Sequence, residues 1–138
     1  MKQCIFCRIV NGDLRAHVLS EDADTVAFLD AFPISQGHTL ITTKRHFDRF
    51  EKTPFNLVAI LGRRLHEIAP RITEAVGAQG YNLGLNSGRD AGQTVDHVHW
   101  HIIPRFSGDR LVSWPNQSVP EPSLAKTAEL IRLKLQTK

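Results

Sequence analysis

Only two cysteines occur, Cys4 and Cys7, in a single CxxC. With so few thiols and no export signal, a disulfide is not expected, and a reducing cytoplasm is the simplest setting. Long apolar runs are absent too. No stretch of about 18 apolar residues exists, which argues against a transmembrane helix. The start, MKQCIFCRIV, lacks the apolar core of a secretory signal. Charge of one sign is also scarce. The formal net charge is +3, the basic residues are scattered, and KRHFDR is a short mixed patch. Neither nucleic acid nor membrane is the expected partner, whereas a mildly basic site for a small anion stays open. Internal repeats and low-complexity tracts are missing as well.

What is present suits one soluble domain over residues 1–138. Hydrophobic residues make up 41% and charged residues 22% of the chain, enough apolar material for a real core. Residues 4–11 read as an ordered, half-apolar leader, ended by the turn signal Asn11-Gly12-Asp13. Residues 17–20 and 25–30 read as a hairpin across a polar connection. HTLITT, 38–43, is a β-branched strand. Thr53-Pro54 predicts a helix start, with a capping hydroxyl and proline at the first helical position. Leu57, Ile60, Leu61, Leu65 and Ile68 follow at helical spacing, and Pro70 is expected to kink or split that helix. Residues 81–85 and 94–103 read as two more strands around the glycine-containing loop 86–93. The segment 107–123 is turn-rich. Leu124, Ala128, Ile131 and Leu135 suggest a C-terminal helix. Hairpins before and after a long helix predict an α+β domain with a five-stranded, mostly antiparallel sheet. Its core would span roughly 4–106, with a tail and helix over 107–138.

The most informative stretch is HVHWHIIP, 97–104. On a helix only His97 and His101 share a face; on a strand all three histidines do, with Val98, Trp100 and Ile102 opposite. The β-branched neighbours favour the strand, with Pro104 as its stop. A flat row of three imidazoles poorly matches tetrahedral zinc. It suits phosphoryl chemistry better, because a neutral imidazole attacks phosphorus and a second one donates protons. The preceding loop would offer backbone N–H groups at Gly88 and Gly92 and donors from Gln93 and Thr94. Three chance histidines remain the bland alternative.

HVHWHII resembles the histidine triad (HIT) pattern. CIFCRIVNG, FLDAFPISQGHTLITTKRH and GYNLGLNSGRDAGQTVDHVHWHIIPR resemble its Hint-like and bacterial branch over nearly the whole chain. The resemblance implies a HIT-like fold and a homodimer whose two sheets join into ten strands. It implies hydrolysis or transfer at the α-phosphate of a purine nucleotide-type substrate through a nucleotidyl-histidine. The leaving group would be that of a phosphoramidate or a dinucleoside polyphosphate.

By the same resemblance, His99 is the nucleophile, His101 contacts the phosphate and assists the leaving group, and His97 orients them. Asn86, Gly92, Gln93 and Thr94 lie on the phosphate side. Asp30 takes the ribose hydroxyls, and Phe6, Ile9 and Phe28 form the base pocket. Cys4, Cys7, His46 and His97 would hold one structural zinc. His38 is a further histidine near the triad. His17 and His66 have no assigned role, and Trp100 belongs to the far face. The competing expectation is a zinc-stabilised nucleotide- or partner-binding module with little turnover.

Overall fold

The computed structural model describes residues 4–112 and 114–137. Val18–Glu21 (β1), Thr25–Leu29 (β2), Thr39–Thr43 (β3), Gly80–Leu85 (β4) and His99–Arg105 (β5) form one sheet in the order β1-β2-β3-β5-β4. Every neighbouring pair is antiparallel. The helices are Ile5–Val10 (α1), Phe55–Ala75 (α2) and Glu121–Gln136 (α3). The β1–β2 turn is set by Asp22, whose Oδ1 accepts from the Asp24 and Thr25 amides at 2.9 and 2.7 Å.

The two sheet faces are covered differently. Leu61, Leu65, Ile68 and Ala69 of α2 pack on Ala27, Ile41 and Ile102, with Trp100 at the margin. Each fully buried aliphatic side chain in this layer contributes about 1.5–3 kcal/mol. On the opposite face α1 lowers Phe6 onto Val26, Phe28 and Leu40. The expected leader is thus a helix, too short for its periodicity to show in the sequence.

Several local expectations change. Thr53 Oγ1 donates to the Arg49 carbonyl at 3.0 Å rather than capping α2, and Pro54 sits at the N-cap. Pro70 does not split α2, which runs unbroken for 21 residues. Pro70 and His66 are both exposed, so the carbonyl that loses its i+4 partner lies on the water-facing side. The last strand starts at His99, not at residue 94, and continues through Pro104 to Arg105. Pro104 is tolerated because the β3 ladder ends at Thr39↔Ile102. The Pro104 carbonyl turns to that side to accept from Ser35 Oγ at 2.6 Å, so its missing N–H leaves no ladder bond unmade. The C-terminal helix forms as expected, but its stripe stays in solvent: Leu124 is 49% and Leu135 80% exposed.

Candidate active site and candidate metal centre

Strand register places the chemistry. On the α1 side of the sheet, Phe28, Leu40, His101 and Gly84 lie in one row across β2, β3, β5 and β4. Thr42 and His99 share the adjacent row. Asp30 and His38 extend the sheet on the other side, the Asp30 amide donating to the His38 carbonyl at 2.9 Å. His99 and His101 therefore share a face, their ring centroids 5.1 Å apart. His97 is not part of that row, since it precedes the strand. There the ladder gives way to a Val98 amide bond to the Phe47 carbonyl at 2.7 Å.

Hydrogen-bond partners assign the tautomers of four histidines. His99 Nδ1 lies 2.7 Å from the His97 carbonyl. A carbonyl only accepts, so Nδ1 carries the hydrogen and Nε2 keeps a free lone pair. Burial holds the His99 pKa below its ordinary value, against the opposing pull of that carbonyl and of Asp30. The result is a neutral imidazole with a nucleophilic Nε2. Its ring stands edge-on to Phe6 at 5.0 Å.

His38 fixes its neighbour in the same way. The Ile34 amide donates to His38 Nδ1 at 3.0 Å, which leaves the hydrogen on Nε2. That nitrogen is 2.9 Å from His101 Nδ1 and 3.6 Å from Asp30 Oδ2. His38 thus donates to His101, and His101 carries its own hydrogen on Nε2, the nitrogen away from His38. Burial, reinforced by the neighbouring His99 and His38, pushes the His101 pKa down to about 4. The neighbouring pair is a lone-pair nitrogen on His99 beside an N–H donor on His101.

Among the described residues two clusters bring metal-binding side chains together, Cys4–Cys7–His46–His97 and Asp30–His38–His101. The same hydrogen bonds separate them. His97 Nε2 lies 2.8 Å from the Thr43 carbonyl, so Nδ1 is a bare lone pair. It faces the sulfurs of Cys4 and Cys7 at 3.4 and 3.7 Å, and Cys7 meets His46 Nδ1 at 3.5 Å. Tetrahedral zinc sets S and N donors ~3.6 Å apart, close to these three S–N distances. In the Asp30 cluster the Ile34 amide occupies the lone pair of His38 Nδ1, leaving a hydrogen where a metal would need the Nε2 lone pair. The first cluster suits a metal ion and the second does not. Burial, then the adjacent Cys4, raises the Cys7 thiol.

Other expected contacts are spent inside the protein. The Gly88 amide donates to Gln93 Oε1 at 2.8 Å, and the Gly92 and Gln93 amides donate to the Arg89 and Gly88 carbonyls. Gln93 is 5% exposed, and its Nε2 donates to the Asp48 and Val95 carbonyls at 2.6 and 3.0 Å. Gly92 and Gln93 brace the loop through these bonds. Gly88 and Gly92, at φ 91° and 89°, supply the backbone that lets the loop close on itself. Thr94 is exposed, and Asn86 reaches the Gly92 carbonyl at 3.4 Å. Phe6 and Phe28 pack edge to face at 5.3 Å, with Ile9 against their cluster. Of the three, Phe6 meets the triad directly, at His97 and His99. His17 and His66 are exposed. The residues missed by sequence reasoning act mostly through backbone atoms: the Thr43 carbonyl and the Ile34 amide carry no side-chain signature.

Comparison with known proteins matches this geometry to a family. The model of the HIT domain matches residues 11–108. An adenosine 5'-monophosphoramidase of Schizosaccharomyces pombe is 36% identical over 135 residues, covering 96% of this chain and 98% of its own. A crystal structure from Streptococcus mutans superposes with a TM-score of 0.90 at 36% identity, covering 99% of this chain and 87% of that one. A zinc-bound histidine triad family protein from Mycobacterium smegmatis superposes with a TM-score of 0.77 at 35% identity, each chain covered to 96%. A free imidazole lone pair beside an imidazole N–H, on one face of a five-stranded antiparallel sheet, is set in a chain that belongs to the HIT domain family.

Proposed function

We propose that this protein hydrolyses adenosine 5'-phosphoramidates, by way of a nucleotidyl group carried on His99. The observation that carries the reading is the pair of opposite tautomers at His99 and His101. The S. pombe relative, a monophosphoramidase, supports the substrate class. In the first step the His99 Nε2 lone pair attacks the α-phosphorus and the P–N bond to the amine breaks. The amine leaves with the bonding pair and a proton from the medium, while His101 Nε2–H is hydrogen-bonded to the departing nitrogen. The His97 carbonyl accepts from Nδ1–H as positive charge develops on the His99 ring, a role that costs no reorganisation. Water then attacks the same phosphorus, the P–N bond to His99 breaks, and nucleoside monophosphate is released. Asp30, half-buried at the end of β2, is suited to accept from two ribose hydroxyls through one carboxylate. Purified protein should release amine from an adenosine 5'-phosphoramidate, and His99→Ala should not. Wild-type turnover by that variant would end the covalent scheme.

One zinc per chain on Cys4, Cys7, His46 and His97 is part of this reading, supported by the zinc-bound relative and by the donor spacing. Bound there, zinc supplies a closed structural crosslink between α1 and the segments flanking β3 and β5. Through His97 that crosslink would fix the carbonyl that orients His99. A homodimer across β4 completes the proposal. β4 is an edge strand, with Tyr81 and Leu83 each 39% exposed, and a two-fold pairing of β4 edges extends the sheet to ten strands.

A further inference from the structure

The segment joining β2 to β3 carries two side chains of the site at its ends, Asp30 and His38, and its own amides hold both. The Phe32 amide donates to Asp30 Oδ1 at 2.8 Å, and the Ile34 amide donates to His38 Nδ1 at 3.0 Å. The neck of this loop is closed by the Asp30 amide on the His38 carbonyl at 2.9 Å. Where the Ile34 amide stands therefore decides which nitrogen of His38 carries the hydrogen.

The tip of the loop is held from outside. Ser35 is half-buried, and its Oγ donates to the Pro104 carbonyl of β5 at 2.6 Å. That carbonyl is free to accept because the β3 ladder ends two residues earlier, at Ile102. The Ser35 carbonyl in turn accepts the His38 amide at 3.1 Å, across a turn whose third residue, Gly37, has φ 87°. A Cβ on Gly37 would lie 3.0 Å from Val76 Cγ1 and 3.2 Å from Pro104 Cγ, so the tip is pressed against the end of α2 and against β5. Among the described residues, Ser35 makes the one side-chain hydrogen bond that ties residues 31–37 to another strand.

The His38–His101 pair has two neutral arrangements over the same 2.9 Å contact. In the first, His38 Nε2–H donates to His101 Nδ1, and His101 keeps its hydrogen on Nε2. In the second, both rings carry the hydrogen on Nδ1, so His101 donates to His38 Nε2 and its own Nε2 is a bare lone pair. The second sets His38 Nδ1–H head to head with the Ile34 N–H, and the Ile34 amide thereby excludes it. Asp30 Oδ2, 3.6 Å from His38 Nε2, is too far for a hydrogen bond and leaves the choice mainly to that amide.

We infer that Ser35 is a positioning residue for the reaction: its bond to the Pro104 carbonyl seats the Ile34 amide on His38 and so keeps the hydrogen of His101 on the nitrogen that meets the departing amine. The effect on rate rests on the proposed function; the effect on the rings does not. Ser35→Ala in the whole protein removes the hydroxyl alone. In ¹⁵N ring spectra of the free protein, His101 should be in its Nε2–H form in the wild type and a mixture of Nε2–H and Nδ1–H forms in Ser35→Ala. With adenosine 5'-phosphoramidate, kcat should fall about 2- to 10-fold, the scale of one net hydrogen bond. Ser35→Thr keeps the hydroxyl and should restore both the spectrum and the rate. Gly37→Ala pushes the tip off Val76 and Pro104 with Ser35 intact, and should give the same mixture. Wild-type ring spectra in Ser35→Ala overturn the inference, whatever the variant's stability. So does a Ser35→Thr protein as mixed and as slow as Ser35→Ala, since its hydroxyl is present. A wild-type protein that hydrolyses no phosphoramidate overturns the proposed function instead, and the ring spectra then decide the inference by themselves.

Discussion

His38 offers the sharpest perturbation of the proposed chemistry, because it touches His101 without belonging to the triad. It is 2% exposed, takes the Ile34 amide on Nδ1, and donates Nε2–H to His101 Nδ1 at 2.9 Å. His38→Leu removes that donor from a buried acceptor. An unsatisfied buried polar atom costs about 1–3 kcal/mol, and His101 avoids part of the cost by moving its hydrogen to Nδ1. That shift takes the donor away from the departing amine. At about 1.4 kcal/mol per tenfold, kcat should fall roughly 5- to 100-fold. KM should change by less than about threefold, since the nucleoside contacts lie elsewhere. His38→Gln keeps an N–H donor near the Nε2 position and should recover most of the lost rate. Steady-state kinetics on the unsubstituted phosphoramidate gives the rates, and ¹⁵N spectra of the His101 ring give the tautomer. The reasoning is refuted if His38→Leu keeps wild-type kcat while His101 loses its Nε2-protonated form. It is equally refuted if His38→Gln is as slow as His38→Leu with both variants folded.

Burial depresses the pKa of His99 below its ordinary value and takes that of His101 to about 4, which favours the neutral form of both. The acid limb of kcat/KM should therefore fall below about pH 6.5, the unperturbed value, and a limb at or above it would contradict the neutral pair. The same depression makes the unfolded chain the better proton acceptor on acidification. Stability from His101 is complete above about pH 6.5 and is lost as pH falls towards about 4, which urea titrations at several pH values will show. Cys4→Ser with Cys7→Ser should abolish zinc binding and lower the melting temperature; unchanged metal content and melting would remove the zinc centre. Light scattering on the eluted protein should give twice the chain mass, and a single-chain mass at micromolar concentration would reject the β4 dimer.

The sheet was legible where both faces are buried. Thr25–Leu29 and Thr39–Thr43 are β-branched or apolar throughout, and the structure buries nearly all of them. The long helix was legible from Leu57, Leu61, Leu65 and Ile68, all of which are buried. The α1 helix was not, since six residues give under two turns of periodicity. The end of β5 was misplaced because a proline rule assumes partners on both sides, and β3 has already ended there. The triad was visible as a pattern, but its division of labour was not. That division depends on the Thr43, His97 and Ile34 backbone groups, which any residue type supplies. In the loop 86–93 glycine spacing gave no sign of the internal bonds, in which the Gly88 amide meets Gln93 Oε1 and the Gly92 and Gln93 amides meet the Arg89 and Gly88 carbonyls.

The central claim is that His99 Nε2 becomes covalently nucleotidylated during turnover. Rapid mixing with an adenosine 5'-phosphoramidate, quenching without acid, and peptide mass spectrometry measure it directly. The account predicts a nucleotidyl group on the peptide containing His99, formed and consumed at rates compatible with kcat and missing in His99→Ala. Turnover with no adduct at any quench time, or an adduct on His97 or His101 instead, would contradict it.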